Sequence, residues 1–133
     1  MDAPSAISGR RGNPEADIQR LIVRTLRAVL PRGAIVHHSA NEIRGGPNAQ
    51  RAQAINVGMG VHPGFSDLLV ISEGQVLFLE VKSKTGRLSE RQAAFRDLVR
   101  AQGLAWAMVR SVDEALGALA EHGFRTRIAG ARR

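Results

Sequence analysis

The run DLLVISEGQVLFLEVK, residues 67–82, constrains the fold more than any other part of the chain. Two apolar segments flank Glu73-Gly74, a pair that fits a two-residue hairpin turn. Side chains alternate along a strand, so Leu69, Ile71, Val76 and Phe78 share one face, while Leu68, Val70, Leu77, Leu79 and Val81 share the other. A sheet that is apolar on both faces must be covered on both, which predicts an α/β domain.

The neighbouring segments supply that cover. A helix is predicted from Asn13 as cap and Pro14 as first helical residue, with Glu15 and Asp17 where the helix dipole favours acid. Its apolar stripe is Ile18, Leu21, Ile22, Leu26 and Val29, and it should stop near Pro31-Arg32-Gly33. AIVHHS, 34–39, reads as a short strand with one of His37 and His38 turned to the core and the other exposed. Ser89 and Gln92 form the spacing of a capping box, opening a helix with Phe95, Leu98 and Val99 on its apolar side. LAWAMV, 104–109, predicts a strand, Ser111 and Glu114 open another helix, and FRTRI, 124–128, predicts a small final strand. The passage 41–66 is polar and glycine-rich, and is read as a long loop edging a functional cleft. Residues 1–12 and 129–133 read as a flexible basic arm and a basic tail around one domain, 13–128. No internal repeat, P-loop or dinucleotide fingerprint occurs.

Glu80 and Lys82 lie inside this apolar hairpin, where a charge is costly unless it is paired or bound to a metal. If Ser72 pairs with Gln75, Asp67 falls directly opposite Glu80, and Lys82 shares the Glu80 face. Two adjacent carboxylates repel unless something positive stands between them. Lys82 meets that need, and so does a divalent cation: hard oxygen donors from Asp67, Glu80 and the Val81 backbone carbonyl suit Mg²⁺ or Mn²⁺. Such a centre can polarise a phosphodiester while Lys82 stabilises developing negative charge or positions the attacking water. The plainer alternative has Glu80 and Lys82 emerging into solvent and Asp67 ending a loop.

Charge bears on the choice. The chain of 133 residues carries a formal +7, and only Lys82 and Lys84 among its 19 basic residues are lysines. Arginine suits bidentate contact with phosphate, so nucleic acid is the first partner to expect. Arg44, Arg51, Lys84 and Arg87 are phosphate candidates flanking the centre, with His62 on the approach to Asp67 and Asn41 and Glu42 as further cleft residues. Four phenylalanines, one tryptophan and no tyrosine give little for stacking a run of single-stranded bases, and Trp106 is assigned to the core. The absence of cysteine excludes disulfides and thiolate metal sites. No apolar run approaches a membrane span and no secretion signal is visible, so an intracellular, cytoplasmic and DNA-associated protein is expected.

The ordered series GVHPGFSDLLVI, VLFLEVKSKTGRLSERQAAF and GLAWAMVRSVDEALGAL resembles the VRR-NUC family of the PD-(D/E)XK nuclease superfamily, over roughly Pro14 to Leu119. The resemblance implies a restriction-endonuclease-like fold, a central mixed sheet flanked by helices, and metal-dependent cleavage of DNA, often at structured DNA such as branches or flaps, as in DNA repair; duplex or branched DNA is the partner expected. It aligns Asp67 with the first catalytic acid, Glu80 with the second, Lys82 with the catalytic lysine, Glu15 with a helix-borne acid that can join the metal, and Gln92 with the glutamine after the core. Glu15 and Gln92 also have structural explanations, the helix dipole and the capping box. In MVRS, Ser111 stands where the family signature has a second arginine, after Val109 and Arg110. A homodimer is expected because one small domain has limited surface for two DNA strands. A noncatalytic nucleic-acid-binding module and an RNA-directed nuclease are the competing readings.

Overall fold

The structure, a computed structural model, describes residues 13–40 and 48–127. The basic arm, the tail, Asn41, Glu42 and Arg44 lie outside the described residues. Eight elements follow in chain order: α1 (Pro14–Val29), β1 (Ile35–His38), α2 (Ala49–Gly58), β2 (Leu68–Ser72), β3 (Gln75–Val81), α3 (Glu90–Ala101), β4 (Ala105–Val109) and α4 (Val112–Glu121). The strands form one mixed sheet in the order β1-β2-β3-β4, antiparallel up to β3 and parallel between β3 and β4.

The hairpin sets the register of everything near the site. Glu73 and Gly74 adopt φ of 53° and 80°, the positive angles of a two-residue turn whose twist matches that of the strands. Ser72 therefore pairs with Gln75, and the ladder runs on to Leu68 opposite Leu79. One step further, Asp67 meets Glu80.

Each sheet face is covered from a different side. Leu68, Val70, Leu77, Leu79 and Val81 pack with Ile22 and Leu26 of α1 and Leu119 of α4 in the main core. On the other face Phe95 and Val99 of α3 pack with Trp106, Phe78 and Phe65. The Phe65 and Phe78 rings meet edge-on at 5.7 Å, as do Phe78 and Phe95 at 5.6 Å. Burying each such side chain contributes about 1.5–3 kcal/mol, so α3 is held firmly over the end of the sheet that carries Glu80. The helices begin where their caps place them: Asn13 accepts from the Ala16 N–H, Ser89 and Gln92 complete a capping box, and Ser111 accepts from the Glu114 N–H.

Three local expectations are corrected. Within 41–66 the described residues include a ten-residue helix, α2, rather than continuous loop. Its alanines and glutamines favour helix, but none of its residues is buried, so no apolar stripe announces it. Residues 124–127 form no strand. Phe124 enters the main core, and Arg127 turns to the end of α1, its N–H donating to the Val29 carbonyl and its side chain to that of Leu30 at 2.7 Å. Carbonyls left over at a helix C-terminus thus claim the segment that the strand reading assigned to the sheet. His37 and His38 are both exposed, because β1 is an edge strand from which only Val36 reaches the core. No described helix is long and apolar enough to cross a membrane.

Candidate active site

Asp67 precedes β2, Glu80 lies at the facing end of β3 and Lys82 just beyond it, so the hairpin alone brings the three together. All are nearly buried, Glu80 at 1% exposure and Asp67 and Lys82 at 9%. Asp67 Oδ2 accepts the Val81 N–H at 2.8 Å, which fixes its carboxylate against the next strand. Its backbone carbonyl accepts from the Ser39 N–H at 2.9 Å and lies 3.2 Å from His38 Nδ1, which also meets Gln19 Nε2 at 2.9 Å. The edge strand and α1 therefore brace the first acid from behind.

Glu80 is held from the other side. Its Oε2 accepts from Gln92 Nε2 at 2.8 Å and lies 4.0 Å from Lys82 Nζ, while its buried Oε1 has no hydrogen-bond partner among the described residues. Gln92 makes two contacts at once: its Oε1 accepts from the Ser89 N–H at 2.9 Å in the capping box, and its amide nitrogen donates to the Glu80 carboxylate. Burial, reinforced by the adjacent Asp67 carboxylate, pushes the Glu80 carboxyl up to about 9; Lys82 opposes this and Glu15 adds to it. One lysine does not neutralise two buried carboxylates. Without a further cation these surroundings favour the protonated, neutral form of Glu80.

This donor set fits a hard divalent cation. The site has an unpartnered carboxylate oxygen, excess negative charge and oxygen donors only. No three His, Asp or Glu side chains among the described residues form a metal-holding group. Mg²⁺ is commonly held by one or two carboxylates with water completing its shell, so two acids suffice.

Glu15, in the first turn of α1, lies at the margin of this cluster. Its Oε2 accepts from the Ser83 N–H at 3.5 Å, and a Cβ added at Gly86 would stand 3.0 Å from that oxygen and 3.4 Å from the Lys82 side chain. Glycine at 86 therefore allows the loop after β3 to close over both. Arg110, just beyond β4, holds that loop: its guanidinium donates to the carbonyls of Ser83 at 2.5 Å, Gly86 at 2.8 Å and Lys84 at 3.3 Å. The signature segment MVRS identified Arg110 but not this work, since its acceptors are backbone atoms on another loop.

A cavity of about 300 Å³ opens beside Asp67, lined among others by Gln53, Asn56, His62, Phe65, Arg91 and Gln92. Its described edge comes from 53–67 and the start of α3. Gly64 makes this possible: with φ of +77° its backbone lies so close to α3 that a Cβ would collide with the Arg91 carbonyl. His62 lines the cavity with its ring 5.4 Å from Phe95. Lys84 and Arg87 are exposed on the loop that follows Lys82. Arg51 is exposed on α2 but does not line the cavity, whereas Arg91, which the sequence reading passed over, does.

Comparison with known proteins agrees with this fold. The VRR-NUC domain profile matches residues 16–113. Two solved structures are similar: one described as a VRR_NUC domain, at 23% identity and a TM-score of 0.58 over 85% of this chain and 100% of the other, and a VRR_NUC domain protein at 19% and 0.63 over 83% and 88%. No curated protein matches the sequence.

Proposed function

The chain belongs to the VRR-NUC family of the PD-(D/E)XK nuclease superfamily, and from that premise we propose that it is a divalent-metal-dependent endonuclease hydrolysing phosphodiester bonds in duplex or branched DNA. One observation carries the reading: a buried Asp67–Glu80 pair, with Lys82 4.0 Å from Glu80 and Gln92 bonded to it, beside an open cavity. A structural ion pair has no need of two adjacent buried acids, one of them with an unpartnered oxygen.

Asp67, Glu80 and the Val81 carbonyl are the proposed ligands of Mg²⁺ or Mn²⁺, with Glu15 at the margin of the site. A bound divalent cation polarises the phosphoryl oxygen and lowers the pKa of an attacking water. The chain's own groups do the rest. The Val81 N–H and Gln92 hold the two acids in fixed directions, so that little reorganisation accompanies the reaction. Lys82 supplies positive charge where negative charge grows on the phosphate oxygens, or holds the water in line. His62, Lys84 and Arg87 are proposed phosphate contacts around the scissile bond, and Arg44 and Arg51 are further proposed contacts to the nucleic-acid backbone. A homodimer would present one such site to each of the two strands of the substrate.

The test is a panel of labelled linear, single-stranded, flap and four-way DNA, with and without Mg²⁺ or Mn²⁺, beside the same molecules in RNA. Metal-dependent cleavage of DNA supports the proposal. Binding without cleavage under every metal condition would assign the fold to a noncatalytic module, and preferential cleavage of RNA would reassign the substrate.

A further inference from the structure

The cavity beside Asp67 has, besides His62 and Arg91, two carboxamides that phosphate binding does not explain. Gln53 and Asn56 are three residues apart on α2, so their amides project from one side of that helix. Among the described residues Arg91 is the only lysine or arginine in the lining, and the Asp67 carboxylate lies at its margin, with Glu80 behind it. His62 and Arg91 are suited to a phosphate, whereas the two carboxamides offer donors and acceptors together, the pattern that matches the edge of a nucleobase. Val61 and Phe65 add apolar surface for a flat ring, and about 300 Å³ is at the lower end of the range for small-ligand pockets. α2 itself buries none of its residues, so its packing gives no reason for two carboxamides to face the cavity.

We infer that this cavity receives one unpaired nucleobase of the strand being cut, with Gln53 and Asn56 contacting its hydrogen-bonding edge. The inference rests on the nuclease reading and deepens it. Cleavage then favours DNA that already presents an unpaired nucleotide next to the scissile phosphate, because a paired base must first be unstacked. One base held by carboxamides is also compatible with a chain that has too few aromatics to stack a run of them.

The test measures binding of the full chain, by fluorescence anisotropy in EDTA, to duplex DNA with a single-stranded overhang in which one abasic nucleotide is moved stepwise through the overhang and junction. At one position the missing base should weaken binding about tenfold. In Q53A/N56A intact DNA should bind about tenfold more weakly and the abasic penalty should vanish. Neither side chain is buried, and circular dichroism should show the fold unchanged. An abasic penalty absent at every position, or undiminished in Q53A/N56A, would overturn the inference. Adding Mg²⁺ or Mn²⁺ to the same complexes separates the two claims. Cleavage without an abasic penalty removes the base pocket and leaves the nuclease, whereas a penalty without cleavage supports the pocket and removes the nuclease.

Discussion

Glu80 is an acid held in its neutral form by its surroundings, and that has a measurable consequence for stability. Its carboxyl titrates near 9 in the folded chain against an ordinary value of 4.5. Between those limits the folded state binds the proton that the unfolded state has released, so stability falls as pH rises through the window and levels off above it. One proton sets a slope of at most about 1.4 kcal/mol per pH unit. Urea denaturation in EDTA from pH 5 to pH 9 should show this decline in the wild type, and Glu80→Gln, which cannot ionise, should flatten it. Parallel pH profiles for the two proteins would mean that Glu80 is not the buried proton carrier.

At the scale of elements, the hairpin was legible because a two-residue turn sets the register and the register sets which side chains meet. Asp67 opposite Glu80 follows from counting outward from Glu73-Gly74. Gln92 was half legible: the capping-box spacing places it at the start of α3, but its reach back to Glu80 depends on how Phe95 seats that helix over the sheet. α2 left no apolar period to read. The grip of Arg110 on the Ser83, Lys84 and Gly86 carbonyls lies beyond any sequence pattern, because carbonyls are common to all residues. That grip makes Arg110 a positioning residue for the loop that carries Lys82 and meets Glu15. Arg110→Ala should cost about 1–3 kcal/mol of stability and lower kcat at saturating DNA with little change in KM, whereas a purely structural arginine would lower only the amount of folded enzyme. Active-site titration alongside the kinetics distinguishes these outcomes.

For the whole molecule, the +7 charge and the proposed function together predict that DNA is held first through its backbone. Each phosphate neutralised releases counterions, so the logarithm of affinity should fall linearly with the logarithm of salt concentration. Arg87→Ala should reduce that slope by about one while weakening all sequences alike. A salt-independent affinity would contradict this account of the surface. Light scattering at assay concentration tests the proposed homodimer, and a fully active monomer would remove it.

The central claim is that the buried pair at the sheet end is a hydrolytic centre, and divalent-dependent DNA cleavage by Asp67→Asn tests it most directly. Asparagine still accepts the Val81 N–H through its carbonyl oxygen and removes a buried negative charge, together with the repulsion that opposes ionisation of Glu80, so stability in EDTA should be retained or raised. DNA affinity, which depends on arginine, should change little. Cleavage should fall by about 100-fold or more, because a metal ligand is lost from a site that is otherwise intact. A D67N protein that is folded, binds DNA and cleaves at the wild-type rate with Mg²⁺ or Mn²⁺ would contradict the claim.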